Sequence, residues 1–294
     1  MPILFKRESN TLDTRSQRLA SVIEAAALAD YTICYLPRDW PLDRKLKDYL
    51  SAESSGQWAL LSGVYDQSDY YQRLYQECQQ MDIGLLNTPS QSAKAMLSSN
   101  YYPLLSELTA RSWFVGSELE LSAISEELAY PVFVKGDIKS KKELGAASCL
   151  IESADTLNAH YWKLQASGIA GDQTMVIREL LPLRSLPSSD LGGREYRVFL
   201  YRGQVIDFGF YWPGEDPFGS LRDSEREELL LLSVTASQRL DVPLLAVDCG
   251  QLKDHSWTII EIGDPQYAEL TQVSMIRYWH RLRHLKDGRD LRAR

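Results

Sequence analysis

The chain has 294 residues, 44% of them hydrophobic and 24% charged, with a formal net charge of −8. That length carries one large domain or two smaller ones, and the composition excludes disordered and collagen-like classes. The negative balance excludes a protein whose whole surface binds nucleic acid.

Cys34, Cys78, Cys149 and Cys249 lie far apart and form no CxxC, which reads as free buried thiols in a reducing compartment. The opening MPILFKRESN has too short an apolar run for a signal peptide, and no stretch approaches the roughly 20 apolar residues of a membrane span. These features predict a soluble cytoplasmic protein.

Residues 16–29, SQRLASVIEAAALA, read as a helix, and YTICYLP (31–37) and WALLSGVY (58–65) as strands. DYYQRLYQECQQM (69–81) reads as a helix and IGLLN (83–87) as a strand closed by Thr88–Pro89. This alternation predicts a small α/β unit over 1–90. The pattern then changes. PVFVKG (131–136) is a strand of buried type, DIKSKKELG a polar loop, AASCLIE (146–152) a returning strand and ADTLNAHYWKLQAS a helix. TMVIREL (174–180) is a strand stopped by Pro182, and LRSLPSSDLGG is a loop. REYRVFLYRGQVIDFGFYW predicts a hairpin turning at Arg202–Gly203. DSEREELLLLSVTASQRL (223–240) is a helix, with Ser224 and Glu227 spaced as a capping box at its start. A second hairpin, LLAVDCGQLKDHSWTIIEIGD, completes an α+β order. The final IRYWHRLRHLKDGRDLRAR (276–294) is basic. It reads as an amphipathic helix docking Ile276, Trp279 and Leu282, with a nucleic-acid- or partner-binding helix as the alternative. His280 and His284 are four apart, but no HExxH accompanies them.

In the last hairpin each strand carries one carboxylate. A turn centred between Asp254 and His255 sets Asp248 opposite Glu261, with both side chains on one face. Like charges so placed repel. Three arrangements resolve the conflict: one carboxyl is protonated, each has its own arginine, or a hard divalent cation lies between them. Asp264, three residues beyond Glu261, could add a third oxygen. A turn displaced by one residue would put the two acids on opposite faces instead.

Lys135 ends an apolar strand on the face of Phe133, where a lysine is costly without an anion. The loop after it holds Lys139, Lys141 and Lys142 between Gly136 and Gly145. Those residue types suit phosphate oxygens and are also common in exposed hairpin loops. In REYRVF, Glu195 and Arg197 share a strand face, which fits sugar hydroxyls and a phosphate, or a cross-sheet ion pair. Glu179 closes an apolar strand before Leu180, Leu181 and Pro182. Such an end can meet the edge of a planar base, or can be a strand that stops at a proline.

Taken in order, these features resemble the ATP-grasp superfamily over about residues 90–270: a strand ending in lysine, a lysine-rich loop, Glu-Leu-Leu, Glu-x-Arg on a hairpin, a helix, and Asp…Glu across a hairpin. The closing IIEIGDPQ looks most like small stand-alone members. The resemblance implies an α+β ATP-grasp fold in which subdomains 91–180 and 181–275 clamp ATP, preceded by an α/β domain (1–90) and followed by the basic tail (276–294). It implies that Lys135, with Lys139 and Lys141, touches the ATP phosphates. Glu179 would bind the adenine amine and the Leu181 backbone the ring edge. Glu195 would hold the ribose hydroxyls, and Arg197 would approach the transferred phosphoryl group, which makes Lys135 and Arg197 the catalytic cations. Asp248 and Glu261 would bind Mg²⁺ or Mn²⁺. The family's asparagine two residues after the glutamate is Gly263 here, and the third-ligand role passes to Asp264. Lys94 is the candidate for the family's upstream phosphate lysine.

The implied activity is an ATP- and Mg²⁺-dependent carboxylate–amine ligase, acting through an acyl phosphate on small-molecule or peptide substrates. Loop 136–145 would be its lid, and loops 182–193 and 212–223 would select the acceptor, with Trp212 and Phe218 either a substrate wall or core. Two alternatives stand beside it. One is a kinase-like phosphotransferase on the same fold. The other is a catalytically weakened nucleotide- or partner-binding module, which Gly263 favours.

Overall fold

The computed structural model describes residues 2–6, 14–36, 45–48, 50, 55–62, 70–138, 149–166, 174–187 and 192–288. Three four-stranded sheets organise these residues. The first is parallel. The opening PILFK is an inner strand, β1 (Pro2–Lys6). β2 (Thr32–Leu36) and β3 (Trp58–Ser62) flank it, and β4 (Gly84–Leu85) pairs with β3. Parallel neighbours need crossover connections. α1 (Thr14–Leu28) lies between β1 and β2, and α2 (Tyr70–Gln80) between β3 and β4.

Two short helices follow, α3 (Pro89–Met96) and α4 (Ser98–Leu105), in a stretch without a periodic apolar signal. Their starts are set by side chains. Thr88 and Gln91 form a reciprocal cap on α3, with Pro89 at its first position. The α4 start is capped from a distance: Ser99 donates its N–H to Asp137 Oδ1 at 2.8 Å and its hydroxyl to Oδ2 at 2.6 Å.

The second sheet contains β5 (Ser112–Val115), β6 (Val132–Gly136), β7 (Leu150–Ile151) and β8 (Met175–Glu179), antiparallel in the order β5-β8-β6-β7. α5 (Glu118–Ser125) and α6 (Ala154–Ala166) cover one face, over Val115, Val132, Val134, Ile151 and Ile177. The other face carries Phe133 and Lys135 beside Arg178 and Val176.

The third sheet is antiparallel: β9 (Glu195–Tyr201), β10 (Gln204–Phe210), β11 (Leu244–Gln251) and β12 (Trp257–Gly263), in the order β10-β9-β11-β12. Its first hairpin turns at Arg202–Gly203, where φ is 47° and 75°, the geometry a two-residue hairpin demands. Tyr196, Val198, Leu200, Val247 and Ile262 pack on α4 and α7 (Asp223–Leu240). Phe199, Tyr201, Leu244 and Ala246 face α1 and α8 (Met275–Lys286). Every residue of β11 is buried.

Two local expectations are corrected. α7 starts at Asp223 as expected, but its N-cap is Arg222, whose N–H donates to Glu225, two residues before the predicted Ser224–Glu227 box. Glu225 is recruited because tertiary partners hold it: Arg194 donates to its carboxylate at 2.9 Å and Gln251 at 3.1 Å. The basic C-terminal segment is built into the core through α8, which buries Tyr278, Trp279, Leu282 and Leu285 and leaves Ile276 46% exposed. Three of its arginines serve the protein's own acceptors, while residues 289–294 lie outside the described residues. Arg277 Nε donates to buried Asp207 at 2.6 Å, Arg281 lies 3.5 Å from the same carboxylate, and Arg283 donates to the Ala29 carbonyl. No helix among the described residues is long and apolar enough to cross a membrane.

Trp279 is 3% exposed and meets Tyr31 edge-on at 5.3 Å. Trp279→Ala should therefore lower the unfolding free energy in urea by about 3–5 kcal/mol. A loss below about 0.5 kcal/mol, the size of a surface substitution, would mean that the helix is not part of the core.

Candidate active site

The β11–β12 hairpin brings the two carboxylates together by an indirect route. Next to the turn, Gln251 pairs with Trp257 and Cys249 with Ile259, so the turn centres on Asp254, half a residue from the predicted point. Beyond Cys249 the register shifts, leaving Ile260 as an extra residue, and Asp248 then falls opposite Glu261. Such bulges re-aim side chains at functional sites. On the other side of Asp248, β9 places Arg197 directly opposite. Arg197, Asp248 and Glu261 thus form one row across three strands.

The row is closed from the second sheet. Lys135 Nζ donates to Glu261 Oε1 at 2.6 Å. Arg197 grips Asp248 with a fork, Nε to Oδ1 and Nη2 to Oδ2, each at 2.7 Å. Its Nη1 donates to the Glu269 carbonyl at 2.8 Å, and its guanidinium lies over the Tyr211 ring at 4.9 Å. The charges read plus, minus, minus, plus and sum to zero. Side-chain exposure is 3% for Lys135, 6% for Asp248, 11% for Arg197 and 29% for Glu261. Burial works against the Lys135 charge, but Glu261 outweighs it and holds the ammonium above its ordinary pKa of 10.5. Burial likewise opposes the Arg197 charge, and Asp248 again reverses the balance.

The remaining predicted residues divide. Glu195 shares the Arg197 face, opposite Gly250, and accepts from the Gly193 N–H at 3.3 Å while 5% exposed. Leu181 is half-buried, its carbonyl accepting from the Leu183 N–H at 2.8 Å. Glu179 is exposed and pairs with Val132, so strand alternation sets its side chain on the face opposite Lys135. Lys139, Lys141 and Lys142, with most of the expected lid, lie outside the described residues.

Asp264 is not brought to the acid pair. It alternates to the face opposite Glu261, where it is wholly buried and accepts from the Gln266 N–H and Nε2, each at 3.0 Å. Burial pushes its carboxyl above the ordinary range, against hydrogen bonds from Asn87 and Gln266. Among the described residues no three acids, histidines or cysteines gather as a metal cluster. Gly263 does share the Glu261 face, opposite Ala246, and a Cβ there would meet nothing within 4 Å. Lys94 is also elsewhere: it donates to the Leu240 carbonyl at the end of α7, at 3.1 Å. Two residues of this region escaped the sequence reading. Asp137 anchors α4 immediately after the Lys135 strand. Arg178 lies on the Lys135 face, a position that the alternation in VIREL already specified.

Comparison with known proteins adds a decisive match. The model of an ATP-grasp domain family, the third family of its clade, matches residues 123–282, more than half of the chain. The chain belongs to the ATP-grasp superfamily. Solved ATP-grasp structures align over nearly the whole length. D-alanine–D-alanine ligase from Bacillus anthracis, complexed with ATP, is 14% identical with a TM-score of 0.62, covering 98% of this chain and 96% of its own. A D-cycloserine synthetase is 13% identical with a TM-score of 0.65, covering 96% and 98%. A RimK domain ATP-grasp protein from Sphaerobacter thermophilus is 12% identical with a TM-score of 0.63, again covering 96% and 98%. These likenesses establish the ATP-grasp fold. No curated protein sequence matches the chain.

The acid pair of this ATP-grasp protein fits a hard divalent cation. Its donors are carboxylate oxygens on neighbouring strands, and a cation of this kind is commonly held by one or two carboxylates together with substrate phosphates. The position beside them at Gly263 is open.

Removing the Glu261 charge tests the row. The raised Lys135 pKa contributes stability that is fully present below the unfolded value and lost only as pH rises through the folded one, above 10.5. In Glu261→Gln, burial and the nearby Arg178 charge would dominate and set the folded pKa below the unfolded one. The unfolded chain would then bind more protons across that window, and stability would rise with pH. The variant should be less stable than the wild type in urea at neutral pH, and the gap should narrow as pH rises toward the ordinary lysine value of 10.5. A gap that stays constant would show that Lys135 does not depend on Glu261.

Proposed function

We propose that this protein is an ATP- and Mg²⁺-dependent carboxylate–amine ligase. The observation that carries the reading is the neutral four-charge row between the two antiparallel sheets. Two relatives of the same fold are a ligase and a synthetase, which supports the ligase reading over others.

In this reading the γ-phosphoryl group of ATP passes to a substrate carboxylate oxygen, giving an acyl phosphate and ADP. An amine then attacks the acyl carbon and displaces inorganic phosphate, leaving an amide and releasing a proton. Asp248 and Glu261 would hold Mg²⁺ or Mn²⁺, which when bound neutralises charge on the phosphates. Lys135 and Arg197 exchange their carboxylate partners for phosphate oxygens and stabilise the charge that moves during transfer. Glu195, on the same face, is placed for the ribose hydroxyls. The backbone around Glu179 and Leu181, rather than the Glu179 side chain, serves the adenine edge. Small-molecule or peptide carboxylates and amines are the substrates.

A second reading has a specific observation behind it. Gly263 offers no side chain where the family's asparagine would stand, which favours a nucleotide-binding module with weakened turnover.

Calorimetric titration with a non-hydrolysable ATP analogue, with and without Mg²⁺, separates these. Wild type should bind more tightly with Mg²⁺, and Glu261→Gln should lose that gain. ADP release in the presence of pooled carboxylates and amines should fall at least about 100-fold in Glu261→Gln. Equal Mg²⁺ dependence in wild type and variant would sink the metal assignment. Mg²⁺-dependent binding without turnover would support the module.

A further inference from the structure

Arg194 is 1% exposed and stands directly before Glu195, the first residue of β9. Strand alternation sends the two side chains to opposite faces of the third sheet. On its own face the Arg194 guanidinium makes four hydrogen bonds. Nε donates to Asp216 Oδ2 at 2.7 Å, and Nη2 to the Gly219 carbonyl at 3.1 Å. Nη1 donates to Glu225 Oε1 at 2.9 Å and to Gln251 Oε1 at 3.0 Å. Tyr196, next on that face, donates its hydroxyl to the same Asp216 oxygen at 2.8 Å. The proposed reaction uses none of these groups.

A buried ion network adds little net stability, because the cost of desolvating its charges offsets their attraction, and its best-attested use is to select one arrangement. The arrangement selected here is the entry to β9. The chain bends at Arg194, whose N–H donates to the Arg184 carbonyl and whose carbonyl accepts from the Gln251 N–H, both at 2.9 Å. One residue earlier, the Gly193 N–H donates to Glu195 Oε1 at 3.3 Å, and the Gly193 carbonyl accepts from Trp212 Nε1 at 2.9 Å. Gly193 sits tightly, since a Cβ there would lie 2.8 Å from Leu183. The Glu195 carboxylate therefore takes its aim from Gly193 and Arg194. The Arg194 fork sets where those two residues lie, because its planar geometry fixes them against α7 and the Asp216–Gly219 segment at once.

We infer that Arg194 is a positioning residue for recognition of the nucleotide sugar. It touches no ligand. From the far side of the sheet it holds the Gly193–Glu195 entry in the place from which Glu195 accepts from the ribose hydroxyls. The inference rests on the nucleotide reading above and on the role given there to Glu195.

The test compares ATP with 2′,3′-dideoxy-ATP, which lacks both sugar hydroxyls. Each is titrated calorimetrically with Mg²⁺ into wild type, Arg194→Lys and Glu195→Ala. Wild type should prefer ATP by about 10- to 100-fold, the size of hydrogen bonds to a charged acceptor. Glu195→Ala should bind the two nucleotides equally and so mark complete loss of the preference. Arg194→Lys keeps the charge and loses the fork. It should cut the preference to below about 3-fold by weakening ATP, with dideoxy-ATP affinity unchanged, and the Arg194→Lys/Glu195→Ala double variant should match Glu195→Ala. A lowered melting temperature with the preference intact would make Arg194 a structural strut and overturn the inference. Equal weakening of both nucleotides would overturn it as well. If the lysine variant does not fold, Asp216→Asn loosens the fork from its other end. The preference should narrow there by at least about 3-fold, and an intact preference overturns the proposal. Wild type that binds neither nucleotide would fail the nucleotide reading, and wild type that binds both equally would fail the Glu195 role. A wild-type preference that survives in the Arg194 variant would fail Arg194 alone.

Discussion

Two carboxylates held opposite one another on adjacent strands are the constraint around which this molecule is arranged. Asp248 is 4% exposed, so solvent does little to screen it from Glu261. Cations answer from two directions. Arg197 comes from within the same sheet, on β9. Lys135 comes from the opposing sheet and bridges the gap between them. Each acid therefore has its own base, and the two halves are joined electrostatically at that point. In the proposed reading, a divalent cation at the acids and an anion at the bases would form a matched exchange. Either one arriving alone would strand a buried charge of its own sign, which would link the two binding events thermodynamically.

The rest of the fold holds this row still. β11 lies between β9 and β12 with every residue buried, so its register has little freedom. α7 covers one face of the third sheet. α1 and α8 cover the end of the other face that carries Phe199 and Tyr201. The Arg197 end is left for the row, with Glu269 and Tyr211 supporting the guanidinium. The parallel N-terminal sheet contributes through α1 and through Asn87, whose amide bonds both the N–H and the carbonyl of Leu244 at 2.9 Å. It stabilises β11 from outside the row.

Much of this was legible in the residues, and the failures have physical causes. Strands of β-branched and aromatic residues, the Arg202–Gly203 turn and the helix at 223–240 follow from local preferences. The pairing of Asp248 with Glu261 was read correctly through two offsetting features. The turn lies half a residue from the expected centre, and the Ile260 bulge restores the register. Period-2 counting cannot see a bulge. It does show that Glu261 and Asp264 face opposite ways, which the analogy to a three-ligand set overrode. Lys94 illustrates another limit: a lysine near a helix end is often drawn to a neighbouring helix's carbonyls, and that contact is tertiary. The α7 cap was misplaced because Glu225 is fixed by Arg194 and Gln251, distant in sequence. β1 was passed over because five residues carry too little periodicity to stand out.

Asp137 has a bearing on how this site can vary. It stands two residues past Lys135, and its carboxylate and carbonyl are both fastened to the start of α4. The strand that presents the lysine is therefore clamped at its exit. Chain leaving that clamp can change in length or composition while the lysine keeps its reach to Glu261, because loop length adds only slowly to the entropic cost of closure. The clamp mechanically insulates the row from substitutions further along the chain. Substitutions beyond the clamp therefore need not disturb the Lys135–Glu261 contact.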